Sequence, residues 1–267
     1  MRTIRTLDFK GVETLLGWAA EEGWNPGLAD ALAFLAADLG GFIGAFVDDV
    51  MVAGISAVAY DDRFGFIGLY ICHPDHRGRG HGSAVWDAAM QRLGDRTVGL
   101  DGVPEQQSNY RRMGFVTAYE TVRMTGTLPP SVWGAYQSVL EVSRVASLDR
   151  AAFPADRTDF LRSWITRPNR AFTLGDVSAP TAFAVWRPCR QAAKVGPLIA
   201  SDTAAAIAML GAIEGEVQLD VPTQRREFLF ELEQMGFQAG FSTARMYRGV
   251  MLGLPATLFS PCTLELG

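Results

Sequence analysis

The sequence predicts a mixed α+β protein built as two related halves in tandem, each a largely antiparallel mixed sheet flanked by helices. Three observations carry that expectation. Phe64 to Cys72 is apolar on both alternating faces, as a strand buried on both sides must be, and a Gly-rich turn leads from it into a helical pattern. Two apolar runs upstream, Gly41 to Val47 and Val50 to Ala59, meet at Asp48-Asp49, a natural hairpin turn. The second half then repeats the spacing of the first.

Val12, Leu15, Leu16 and Ala19 recur at helical spacing after a capping Asp8. The stretch Glu21-Glu22-Gly23-Trp24-Asn25-Pro26-Gly27 ends that helix, with glycine and proline as the breakers. A second helix is expected from about Leu28 to Ala37, with Leu32, Leu35 and Ala36 facing inward. After the hairpin, Asp61-Asp62-Arg63 turns the chain into the long buried strand. The helix from Ser83 to Leu93 carries Val85, Ala89 and Leu93 on one stripe, with Trp86 and Met90 beside them. A short strand, Thr97 to Asp101, and a link from Gly102 to Gln107 lead to Tyr110-Arg-Arg-Met-Gly114-Phe115.

The repeat is read from several echoes. Val98-Gly-Leu100-Asp101 with Val103-Pro104 returns as Val217-Gln-Leu219-Asp220-Val221-Pro222, and Met113-Gly114-Phe115 returns as Met235-Gly236-Phe237. Arg123-Met124 lies as far beyond Phe115 as Arg245-Met246 lies beyond Phe237, and Gly126 pairs with Gly249 one residue displaced. Such register implies two related domains, 1–127 and 136–267, joined near Thr127 to Ser131.

Composition narrows the function classes. The chain has 267 residues, 48% hydrophobic and 20% charged, with a formal net charge of −5. No basic stripe is visible, which argues against a nucleic-acid partner. Cys72, Cys189 and Cys262 are odd in number and scattered, as in a reducing compartment, so a cytoplasmic location is expected. Neither a signal-peptide core nor a membrane-length apolar run is evident. All three histidines, His73, His76 and His81, sit in the Gly-rich turn, so a Ser-His-Asp or Cys-His hydrolase would have to draw its base from there. With Cys72 and Asp75 adjacent they could ligate a metal, but it would occupy the turn the glycines shape for an anion. No metal is expected.

That turn is the chemical centre of the sequence. Arg77-Gly78-Arg79-Gly80-His81-Gly82-Ser83 joins a buried strand to a helix start, where close backbone approach, unpaired N–H groups and the positive end of the helix dipole favour a phosphate. It is not G-x-G-x-x-G at the start of a βαβ unit, nor a Walker loop, since no lysine is near. What fits is R-x-x-G-x-G, read as Arg77, Gly80 and Gly82. This resembles the acetyl-CoA signature of the GNAT N-acetyltransferases, and Tyr110-x-x-x-Gly114-Phe115 is similar to the motif that closes the catalytic half of that family.

The resemblance implies acetyl-CoA as co-substrate. Arg77 to Ser83 would hold its pyrophosphate, and the strand edge at Leu69, Tyr70, Ile71 and Cys72 would pair with the pantetheine amides. A backbone N–H near Ile71 would polarise the thioester. Tyr110 would be the general acid that reprotonates the CoA thiolate, keeping its proton at neutral pH because a phenol titrates near 10. Many members carry Asn seven residues before this tyrosine; here the position is Val103, and Gln106, Gln107 or Asn109 could replace its contact. In the family the loop between the first two helices overhangs the acceptor, so Glu21, Glu22, Trp24 and Asn25 are candidates to touch it. Asp101, Glu21 and Glu22 are candidate bases. Cys72 as a nucleophile would imply a covalent intermediate; direct attack is the expected route.

The second half has lost this machinery. Lys194-Val-Gly-Pro-Leu-Ile-Ala-Ser-Asp202 contains no R-x-x-G-x-G, and Leu232 stands at the counterpart of Tyr110. It is similar to the degenerate C-terminal domain of a bacterial tandem-GNAT group, which would complete the acceptor pocket, form a dimer interface or merely support the first sheet. The expected function is acetyl transfer to a primary amine of a small molecule, by a monomer or homodimer. A non-catalytic acetyl-CoA sensor and an enzyme binding another phosphate ligand, such as a nucleotide, are the alternatives.

Overall fold

The computed structural model describes residues 1–130, 141–176 and 179–267. Ser131 of the expected linker and the expected second-domain start at Tyr136 lie outside the described residues. The first half runs β1 (Arg2–Thr6), α1 (Phe9–Glu21), α2 (Asp30–Ala37), β2 (Phe42–Val47), β3 (Val50–Ala59), β4 (Phe64–Cys72), a 3₁₀ turn (Pro74–His76), α3 (His81–Leu93), β5 (Thr97–Gly102), α4 (Pro104–Arg112) and β6 (Val116–Leu128). The second runs α5 (Ser143–Ala152), α6 (Thr158–Trp164), β7 (Arg170–Asp176), β8 (Ala179–Arg187), β9 (Ala193–Ile199), α7 (Thr203–Leu210), β10 (Gly215–Pro222), α8 (Arg226–Gln234), β11 (Gln238–Arg248) and β12 (Leu258–Ser260).

All strands among the described residues belong to one mixed sheet, in the order β1-β2-β3-β4-β5-β11-β6-β10-β9-β8-β7, with β12 on β9. Two pairings are parallel, β4 with β5 and β9 with β10; the others are antiparallel. The halves have exchanged their last long strands. β11 from the second half lies against β5 of the first, and β6 from the first lies against β10 of the second. The cores follow the exchange: Ala244 and Met246 of β11 pack with Val85, Trp86 and Leu100, while Met124 and Leu128 of β6 pack with Phe228 and Leu232. A third core joins α1, α2 and β4 to α6, β8 and Leu266.

Local chemistry explains the elements. Asp8 caps α1 by accepting from Gly11 N at 2.9 Å. Asp48 and Asp49 both take positive φ, 49° and 62°, and so make the tight turn between β2 and β3. The twin Met-Gly-Phe segments are matched helix stops. Gly114 and Gly236 each have φ +87°, and Phe115 N and Phe237 N donate to Tyr110 O and Leu232 O, each at 3.0 Å, as in a Schellman cap.

The second helix departs from expectation. It begins at Asp30, and Leu32 is 62% exposed with Ala36 also outside. The buried face carries Asp30, Ala31, Ala33 and Phe34 because α2 packs on α6 and Asp30 is ion-paired with buried Arg187.

Candidate active site

The parallel β4–β5 ladder runs only from Phe64 opposite Thr97 to Ile67 opposite Leu100. Beyond it the strands part. Between β3 and β4 the register shifts, so that Leu69 and Tyr70 together stand opposite Ile55, and Leu69 adopts φ +48°. A bulge of this kind re-aims the backbone of the strand that carries it. The gap opens into a cavity of about 570 Å³ lined on one side by Gly68 to Cys72 and on the other by Asp101, Val103 and Tyr110.

Gly78 and Gly80, at φ +74° and +76°, let the turn close onto α3, and Arg2 of β1 donates to Gly80 O at 2.9 Å. The loop thereby presents the first N–H groups of a 13-residue helix. Gly82 lies beside Tyr70, whose hydroxyl a Cβ there would crowd at 3.0 Å. Arg77 turns back, donating to Cys72 O at 3.0 Å and to Glu22 at 2.5 Å. Arg79 and Ser83 are exposed on the turn, and His81 is half-buried beside it. His73, His76 and His81 stand in a row with ring centroids 5.9 and 6.1 Å apart. Among the described residues no group of three or more His, Cys, Asp or Glu is placed to hold a metal.

Tyr110 is buried against Trp86, with ring centroids 5.7 Å apart, and against Gly102. No hydrogen bond from another described residue restrains its hydroxyl. Burial raises its pKa above the ordinary phenol value, and neighbouring Tyr70 adds to the shift. Burial likewise raises the Cys72 thiol, opposed by Arg77 and a Gly82 N–H. A thiol that keeps its proton is a poor nucleophile.

Four expected site residues are placed otherwise. Asn25 bridges the halves: its amide donates to Ala192 O and Gln218 and accepts from Gln191 N. Glu21 is exposed and does not line the cavity. Asn109 is tied along α4 to Gln106 and Arg112, and it is Gln106 that lines the cavity. Asp101 reaches the cavity, but both its oxygens are taken by Arg245, at 2.9 and 2.8 Å. The Arg245 guanidinium holds and neutralises this carboxylate, which disfavours it as a proton acceptor. Glu22 and Trp24 do line the cavity.

Sequence profiles match both halves. The acetyltransferase (GNAT) family matches residues 9–115, and an acetyltransferase (GNAT) domain matches residues 145–257. The holothin acyltransferase of Pseudoalteromonas sp. (strain SANK 73390) is 33% identical over 243 residues, 87% of this chain and 83% of that protein. The chain belongs to the GNAT family. It is a tandem GNAT acyltransferase. Its fold is shared with a putative acetyltransferase from Pyrococcus horikoshii, at TM-score 0.82 and 19% identity over 100% of this chain and 96% of that one. A tandem GNAT protein from the clavulanic acid biosynthesis pathway aligns at TM-score 0.58 and 15% identity, covering 92% and 98%. Among the described residues no helix is long and apolar enough to cross a membrane.

The second GNAT half contributes directly to the cavity, through Phe241, Thr243, Leu264 and Glu265. Arg123 of β6 lies over the Phe241 ring at 5.2 Å, and Trp24 O accepts from Arg123 at 3.2 Å and from Lys194 at 2.7 Å. The loop above the cavity is therefore held by Arg123 on the exchanged strand β6 and by Lys194 of the second half. The second half's own wedge is filled. By strand register Gly65 faces Val98 and Ala193 faces Val217, so Gly196 stands where Gly68 stands in the first half. A Cβ on Gly196 would strike the carbonyls of Pro261 and Cys262, and one on Gly68 would strike the carbonyl of Glu265. A single segment, Leu258 to Leu266, thus plugs one wedge and skirts the other. No local motif marks those residues.

Proposed function

We propose that this GNAT protein transfers an acetyl group from acetyl-CoA to a primary amine of a small molecule by direct attack. The observation that carries the reading is the convergence on one cavity of the α3 N-terminal turn, the bulged edge of β4 and the buried Tyr110 hydroxyl. The turn from Arg77 to Ser83 suits a pyrophosphate, because its glycines expose backbone N–H groups at a helix start. The edge from Leu69 to Cys72 offers strand-type hydrogen bonds to the pantetheine amides. The acceptor amine enters from the side walled by Trp24 and Phe241 and attacks the thioester carbonyl. Tyr110 then gives its proton to the departing thiolate, a role suited to a phenol whose burial keeps it protonated at neutral pH.

Calorimetric titration of acetyl-CoA into the wild type and Gly82→Trp tests the cofactor site. One site per chain in the wild type, abolished in Gly82→Trp, supports it; no binding by the wild type overturns it. Thiol release on addition of small amines then tests the acceptor class, beginning with holothin, the compound named for the 33%-identical relative. Tyr110→Phe separates an enzyme from a sensor, since a sensor has no transfer to lose.

A further inference from the structure

Four carboxylates line the cavity: Glu22, Asp101, Glu105 and Glu265. Three are ion-paired or open to solvent. Glu22 is bound to Arg77, both Asp101 oxygens are held by Arg245, and Glu105 lies exposed on the first turn of α4. Glu265 differs from all of them. The residue is only 4% exposed, yet among the described residues its carboxylate makes no hydrogen bond and no ion pair within 4 Å. Its backbone is fixed instead: Glu265 N donates to Thr263 Oγ1 at 3.2 Å, and its carbonyl accepts from Ser56 at 3.3 Å and abuts Gly68. The side chain is thus a free carboxylate on an anchored stem, beside the strand expected to carry the thioester.

We propose that Glu265 is the general base of the reaction, a role that rests on the amine-acetyltransferase reading above. The acceptor ammonium gives one proton to the Glu265 carboxylate. The amine lone pair then forms the C–N bond to the thioester carbonyl carbon, and the C–S bond breaks with its electron pair on sulfur. Tyr110 protonates the thiolate and recovers a proton from the new amide nitrogen through solvent, while the proton on Glu265 leaves to solvent. Burial raises the Glu265 carboxyl above its ordinary 4.5; Lys194 on β9, Arg187 on β8 and Arg123 on β6 oppose the shift, and Asp30 on α2 adds to it. A base poised nearer neutrality suits this proton transfer.

The experiment compares wild type, Glu265→Gln and Glu265→Asp, using an amine that the wild type acetylates, with acetyl-CoA affinity measured in parallel. Glu265→Gln is expected to lose roughly 10²–10³-fold in kcat at neutral pH. It should also lose the acid-side break in the kcat–pH profile and bind acetyl-CoA within about twofold of wild type. Glu265→Asp, which keeps the charge, should retain the break at reduced rate, and it carries the test if the glutamine variant does not fold. A glutamine variant within about twofold of wild type overturns the proposal. So does an equal loss in both variants with the break unchanged, which would make Glu265 structural. A wild type that binds acetyl-CoA yet acetylates no amine overturns the acceptor reading and Glu265's role with it.

Discussion

Asp101 on β5 faces Arg245 on β11 in direct register, joined by two hydrogen bonds of 2.9 and 2.8 Å. Its echo, Asp220 on β10, faces Arg123 on β6 in the same way, at 2.7 and 3.0 Å. Each pair bolts an exchanged strand to its host, which explains why these four residues recur in both halves. Their settings are not equal. Burial raises the Asp101 carboxyl against the pull of Arg245, whereas at Asp220 burial is outweighed by Arg123 and Lys194, and its carboxyl lies below the ordinary value. By register, Lys194 occupies the place that Phe66 holds in the first half.

Removing one member of the first pair leaves a buried charge without its counter-ion. Arg245→Met is expected to cost about 3–5 kcal/mol of stability, read as a lower urea midpoint. The double variant Asp101→Leu with Arg245→Met should recover most of that loss, because no lone charge remains.

Tyr110→Phe removes the proposed acid and keeps the ring stacked on Trp86. A fall in kcat of roughly 10²-fold is expected, with acetyl-CoA affinity unchanged by calorimetry. In the wild type, the raised phenol pKa means Tyr110 should not impose an alkaline limb below its ordinary value of 10.

Gly80→Ala places a side chain at φ +76°, where its only near neighbour is Arg2 Nη1 at an ordinary contact distance of 3.8 Å, so the effect is backbone strain of roughly 1–2 kcal/mol. Relief of that strain displaces the turn, and acetyl-CoA affinity should drop about tenfold, a change of 1.4 kcal/mol. Gly94→Ala, at φ +57° and ψ −131° beyond the far end of α3, carries at least as much backbone strain remote from the cavity. It should lower the melting temperature without changing affinity.

The stability of Glu265→Gln should depend on pH in a defined sense. A carboxyl with a raised folded pKa binds more protons when folded, so its contribution is fully present below the unfolded value and lost as pH rises through the folded one. The glutamine variant should therefore match wild type near pH 4 and exceed it increasingly above. Thermal melts across pH check this; a variant less stable than wild type at pH 8 would contradict it.

Much of the first half was legible because its signals are local. The cap at Asp8, the Asp48-Asp49 turn and the glycine that stops α4 each depend on a few adjacent residues. β1 was not legible, since all five of its side chains are exposed and leave no alternating pattern. Strand exchange was hidden for a different reason. The last strands of the two halves carry the same Arg-Met pattern, so pairing at home or across the junction would bury the same faces. Of the cavity, the turn, strand edge and Tyr110 were readable, but Thr243 and Glu265 arrive by long-range packing that no motif announces.

The exchange of β6 and β11 gives the single chain the symmetry of an interlocked pair of identical subunits. In such a pair every substitution strikes both clefts at once, so neither could be sealed without losing the other. Joined in one chain, the two clefts answer to different residues. One could be closed by the segment around Pro261 while that same segment, four residues on, places an acidic group at the rim of the cleft left open.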